Sequence, residues 1–234
     1  MDALAIFSIR INLDSWKDKG VVRKMKANSS SATPGTGLRE RRKTEKLDAI
    51  KRAARHLFET HGYHSTRMSE VARVADVGFG TVAAYASDKA GLAVMLFVDD
   101  LVQLPPLFVG PIKADRPLLD QLMDEFSVSF KFWASKPELS RIVLPLVSLR
   151  SSPHAQMILA RREVMRRCLI EWIDRAKELR RMRTDFDSAQ ASELFFSLYI
   201  HAIHEWFNAE LTDPQLGLDR LRFLLEIPVQ RLAL

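Results

Sequence analysis

The stretch from Thr66 to Leu92, TRMSEVARVADVGFGTVAAYASDKAGL, constrains the fold more than any other part of the chain. Met68, Val71, Ala72 and Ala75 recur at i, i+3, i+4 and i+7, which lines one buried face of a helix. Asp76-Val77-Gly78 breaks that rhythm with a turn former, one apolar residue and a glycine. The helical pattern resumes from Phe79 to Ala86, with Val82 pointing inward. A helix, a three-residue turn and a second short helix is the layout of a helix-turn-helix, whose second helix enters the DNA major groove.

Neighbouring residues sharpen this reading. A first helix ends in LFETHGY (Leu57 to Tyr63). Thr66, the Glu70-Val71-Ala72 step, Ala75-x-Val77, the Gly80-Thr81 pair, Tyr85 and Lys89-x-x-Leu92 follow. From Leu47 onward the chain resembles the DNA-binding domain of the TetR family of bacterial one-component transcription regulators. Two positions depart from the family pattern. Gly78 stands where a small hydroxyl residue is usual, and Ala83 where a tyrosine directed at DNA is usual. The resemblance implies an all-α fold, with an N-terminal three-helix helix-turn-helix domain followed by a larger helical ligand-binding and dimerisation domain. The boundaries read as a flexible extension and linker over 1–38, the DNA-binding domain over 39–92 and the helical domain over 93–234.

Charge agrees with this division. Residues 1–92 hold 17 Lys and Arg against 10 Asp and Glu, net +7, whereas residues 93–234 hold 18 against 19, net −1. A basic excess on the helix-turn-helix half suits phosphate neutralisation, although a solubilising surface has the same composition. Cys168 is the single cysteine, so no intramolecular disulfide forms, which suits a cytoplasmic location. No apolar run approaches the length of a membrane span. The first 24 residues lack the basic start and small-residue cleavage site of a signal peptide, and Met25 is an alternative start.

Within the first half, Arg39, Arg41, Arg42 and Lys43 read as a basic arm ahead of the first helix, of the kind that reaches phosphates or the minor groove. Leu47, Ile50, Ala54, Leu57 and Phe58 form the buried stripe of that helix, and Gly62 is a suitable left-handed terminator. His56, His61 and His64 near its end do not share one face, so no metal site is expected. Thr66 reads as the N-cap of the second helix, at a positive dipole end suited to phosphate. Arg67 adds a charged contact there, and Ser69 is within reach of a base edge. On the third helix Thr81 can donate to phosphate, while Phe79 and Ala83 can touch thymine methyls. Tyr85 and Lys89 match the family's phosphate contacts by resemblance. Ordinary core packing is the alternative reading for Phe79 and Tyr85.

Beyond Leu92, helical stretches are expected over 90–104, 115–136, 138–148, 153–183, 188–210 and 215–226, with prolines or Asp/Ser caps at most joints. Residues 191–209, ASELFFSLYIHAIHEWFNA, are apolar on nearly every side, and such a helix must be covered all round. The periodicity requires only that something cover it; the resemblance implies a four-helix bundle with the final helix across a two-fold axis, using Phe195, Leu198, Ala202, Trp206, Leu221 and Leu224. Phe126, Phe130, Trp133, Met157, Met165, Trp172 and Tyr199 mix aromatics with flexible methionines, a composition shared by apolar pockets and by plain helical cores. His201, His204 and Glu205 fit a core or interface better than a metal site. No nucleotide-binding glycine loop, HExxH, GxSxG or paired-cysteine zinc motif occurs, so no catalytic residue and no cofactor is expected. The expectation is therefore a homodimeric repressor that binds a double-stranded operator and is released by a small apolar effector. A helical protein-interaction module with a degenerate DNA-binding domain is the alternative.

Overall fold

The computed structural model describes residues 34–148, 153–209 and 213–234. Among them run nine helices: α1 (Pro34–His61), α2 (Met68–Val74), α3 (Phe79–Tyr85), α4 (Lys89–Leu101), α5 (Leu118–Ser135), α6 (Pro137–Ser148), α7 (Pro153–Glu178), α8 (Ser188–Asn208) and α9 (Pro214–Leu232). The described residues contain no strand, and extended pairing is confined to an isolated antiparallel bridge from Met182 to Ala233. The all-α class that the resemblance implies is the class observed among the described residues.

The chain divides into two compact units, residues 1–49 and 50–234. The described part of the first is 34–49, and it is helical. For residues 34–38 this corrects the reading as extension and linker, and for Arg39 to Lys43 the reading as an arm ahead of the first helix: from Pro34 the chain is already in α1. The physical reason lies in the composition of Leu38 to Lys46, which is rich in good helix formers. One turn of it is reinforced by Arg41, whose Nε donates to Glu45 at 2.9 Å. Residues 1–33 of the expected extension lie outside the described residues.

In the second unit, Ile50, Ala53, Ala54, Leu57 and Phe58 are buried along α1. The helix ends at His61, and Gly62 takes φ +80°, the left-handed terminator that glycine adopts without a Cβ penalty. Helices α2 and α3 pack on each other. Asp88 caps α4, its carboxylate accepting from the Gly91 N–H at 2.7 Å. Seven consecutive residues of α4, Leu92 to Val98, are buried, so this helix is covered all round by neighbours including α6 and α7.

Helix α8 packs on α7 and α9, and α9 on α5. The α5–α9 approach is close at Gly217, where an added Cβ would lie 2.5 Å from Phe130 Cε1. Helix α9 continues through Pro228 to Leu232, past its expected end at 226, because Leu225 and Val229 are buried on one of its faces. An aromatic core joins α5 to α8. Phe126 stacks on Tyr199 with centroids 4.9 Å apart, and Phe130 meets Trp206 at 5.7 Å.

Candidate functional site

The helix-turn-helix is built on a few buried anchors. Val71, Ala72 and Ala75 seat α2, and Val82 alone seats α3. Asp76, at φ +53°, takes the left-handed conformation, while Gly78 sits at φ −64° as the N-cap of α3. Gly78 therefore offers no side-chain acceptor to the first turn, although an added Cβ there would find only Thr81 Oγ1, at 4.0 Å.

Thr66 is not the N-cap of α2, which corrects that expectation. The cap is Arg67, and Glu70 accepts its N–H at 2.8 Å. Thr66 is 2% exposed, and its hydroxyl donates to the Leu57 and Gly62 carbonyls at 3.2 and 2.9 Å. The end of α1 recruits this hydroxyl before α2 can, and a buried hydroxyl has no access to a phosphate. Arg67 and Ser69 are exposed beside it.

On α3, Phe79 is 57% exposed, with Gly80, Ala83 and Ala84 also on the surface and Thr81 and Tyr85 half-buried. The outward face of α3 is thus low and largely apolar. Lys89 is half-buried. Its ammonium donates to the Tyr63 and His64 carbonyls at 2.8 and 2.9 Å and sits 4.5 Å from the Tyr63 ring centroid. Two of its three donors hold the α1–α2 loop. Arg41 and Arg42 lie in the first unit, exposed on α1.

A set of ion pairs ties this head to the helices behind it. Lys51 meets Asp99 at 2.8 Å, and Arg55 grips Asp100 with both terminal nitrogens at 3.0 and 2.8 Å. Lys136 adds a second cation to Asp100 at 2.5 Å, and the Tyr63 N–H donates to Glu138 at 3.2 Å. Burial pushes the Asp100 carboxyl upward, but hydrogen bonds from Arg55 and Lys136 and their charges outweigh it. Asp100 therefore titrates below the usual carboxylate range. Sequence reasoning missed this joint, because Asp99-Asp100 reads as an exposed charge pair at a helix end.

A cavity of about 50 Å³ lies among residues of α4, the loop after it, α5, α7 and α8. Three residues expected in a pocket line it: Trp133, Met165 and Tyr199. Phe126 and Phe130 do not line it; both are fully buried and pack on the Tyr199 ring. Trp172 is buried away from it, and the Met157 side chain lies outside the described residues. Sequence reasoning missed Ser129, Arg161, Arg162 and Cys168, which supply the polar lining. A signal for one of them exists: Ile158, Arg162, Met165, Leu169 and Trp172 follow a helical stripe that is apolar except at Arg162. Burial pushes the Cys168 thiol up, against the pull of Arg167, Arg161 and Arg175, so it is no activated nucleophile.

Four residues read as dimer interface belong to the interior of the chain itself. Phe195, Ala202 and Leu221 are fully buried and Trp206 is 3% exposed, while Leu198 and Leu224 are half-buried. The apolar residues that α8 and α9 expose are Leu194, Leu216, Phe223 and Ile227. A helix apolar on every side gives no clue to which face its own domain covers. Between α8 and α9, Glu205 pairs with Arg220 at 2.7 Å, and within α8 it lies 3.2 Å from His201 Nε2. Among the described residues no group of side chains is arranged to hold a metal ion, and no single helix is long and apolar enough to cross a membrane.

Comparison with known proteins agrees with this geometry. Residues 50–96 match the family model of bacterial regulatory proteins, tetR family. No curated protein sequence matches. Among solved structures, a TetR transcriptional regulator from Rhodococcus sp. RHA1 superposes with a TM-score of 0.54 at 19% identity, over 83% of this chain and 99% of that one. The fatty acid degradation regulator FadR from Bacillus halodurans gives 0.50 at 21% identity, over 76% and 97%. These likenesses carry the fold along most of the chain, and the family model carries the head that α1 to α4 build. Residues 50–96 are a helix-turn-helix domain of the tetR family of bacterial regulatory proteins, and the chain as a whole shares the fold of solved TetR regulators.

Proposed function

We propose that the protein is a cytoplasmic, homodimeric repressor whose hold on its operator is set by a small molecule in the cavity described above. The observation that carries this reading is the placement of α4. Its first residue, Lys89, holds the α1–α2 loop, and Asp99 and Asp100 near its far end grip Lys51 and Arg55 of α1. The last residue of the same helix, Leu101, lines the cavity, as does Leu104 beyond it. A ligand that moves this end of α4 moves the segment to which the reading head is tied. Binding then favours one spacing of the heads over another, and this preference is the coupling free energy.

In the dimer each subunit places α3 in a major groove, with half-sites about one helical turn, roughly 34 Å, or a multiple apart. Arg67, Ser69, Phe79, Thr81, Ala83 and Tyr85 face the DNA. Thr66 and Lys89 position the head from behind. The dimer forms through the exposed side of α8 and α9, where Leu194, Phe223 and Ile227 face outward.

Selection of bound sequences from random or genomic DNA tests the reading. A palindromic site, bound with an affinity that falls steeply with salt, is the expected result. An absence of salt-dependent DNA binding overturns it. The low outward face of α3 then favours a helical interaction module with a degenerate reading head.

A further inference from the structure

We propose that the cavity is an anion site, taking a small carboxylic acid with an apolar body whose carboxylate is held by Arg162. The ligand's role as effector rests on the function proposed above; its binding does not.

The cavity lining contains two arginines and neither an aspartate nor a glutamate. The two arginines differ in how they are satisfied. Arg161 Nη2 donates to the Leu104 and Pro105 carbonyls, both at 2.9 Å. Arg162 Nη2 is enclosed and has no hydrogen-bond partner among the described residues. A buried donor left unmade is costly, and more so on a charged group. Native proteins rarely keep one without a reason, and a missing ion or ligand is a common reason.

The surrounding groups leave the role open to an anion. The Tyr199 hydroxyl is shared with Ser129. His204 is pushed down by burial, then by the charges of Arg162 and His201, and an imidazole, neutral or cationic, is no counter-ion to a guanidinium. A planar guanidinium fork matches the two oxygens of a carboxylate. The rest of the lining sets the other half of the ligand. Leu101, Leu104, Leu107, Trp133 and Met165 are apolar, so a single negative charge on an apolar body fits, and a heavily hydrated multivalent anion does not. At about 50 Å³ the space holds a handful of waters, on the measure of about 10–15 Å³ each, which suits a head group with a small ring and excludes a long chain.

The test uses the full chain without DNA, with benzoate, benzamide, benzylamine and inorganic phosphate as probes, read by calorimetry and thermal melting. Benzoate is expected to bind and raise Tm, and the other three are not. Arg162→Met should weaken benzoate at least about tenfold, as loss of a charge-assisted hydrogen bond does. It should melt no lower than the parent protein in the absence of ligand, since an unpaired buried charge is gone. Arg162→Lys keeps the charge but loses the fork, and should fall between the two. Absence of benzoate binding, equal binding of benzamide, displacement of benzoate by phosphate, or unchanged benzoate affinity in both variants each overturns the proposal. Operator binding is then measured separately. Benzoate that binds through Arg162 without altering DNA affinity overturns the effector role and leaves the anion site standing. Release of DNA by neutral ligands, with no benzoate binding, does the reverse.

Discussion

Helices α3 and α8 use phenylalanine in opposite ways. In α3, Phe79 is 57% exposed, and the helix of seven residues buries only Val82. In α8, Phe195 is fully buried, and nine of 21 residues are interior. A seven-residue helix is unstable by itself, so α3 persists through its packing on α2. Its surface contributes little to folding and is free to serve recognition. Helix α8 is the converse, since most of its apolar area holds the chain together. Apolar character alone therefore does not separate a core residue from a reading one.

Substitutions that break this contrast are ordered by size. Phe195→Ala should cost about 3–5 kcal/mol in chemical denaturation, because it opens a cavity where the chain is fully packed. A loss below about 1 kcal/mol would show that α8 collapses readily and is not the rigid partner in the comparison. Gly217→Ala comes next. Its methyl meets the Phe130 ring at 2.5 Å, and overpacking of this kind costs about 1–3 kcal/mol. An unchanged melting temperature would mean that α5 and α9 are further apart than described.

Asp100→Asn probes the joint between the two regions. It leaves Arg55 and Lys136 without their carboxylate, for a loss of about 1–3 kcal/mol. The pH dependence has a definite sign. The folded-state pKa of Asp100 is depressed, so its contribution is fully present above the unfolded value, about pH 4, and is lost as pH falls through the folded value. Acid titration of stability should show this loss in the parent protein and a shallower one in the variant. Equal acid sensitivity in both would remove Asp100 from the joint.

The smallest stability effect is expected at Phe79. Phe79→Ala should change stability by no more than about 0.5 kcal/mol, as exposed positions do. Its effect should appear in DNA selection, as relaxed preference for A·T pairs under α3, since an apolar face recognises chiefly the thymine methyl. A consensus with G·C at those positions, unchanged by the substitution, would refute direct reading by this residue.

Local rules sufficed where a residue's role is decided within a turn or two. The i, i+3, i+4, i+7 spacing of Met68, Val71, Ala72 and Ala75 specifies a helix face, and Gly62 ends α1 because a left-handed residue fits there. The family motif lies in the same stretch, which is why the head was legible and matches the family model over 50–96. Tertiary structure decided what depends on distant partners. Thr66 has the residue type of a cap, yet the Leu57 and Gly62 carbonyls claim its hydroxyl. Phe195, Ala202, Trp206 and Leu221 have the character of an interface, yet α8 and α9 turn them into their own core. Arg162 reads as one more cation on a basic helix until packing encloses its Nη2 beside a cavity. In each case the sequence by itself sets which chemistry a side chain carries. Burial and long-range hydrogen bonding, which depend on residues tens of positions away, set whether that chemistry faces water, core or ligand.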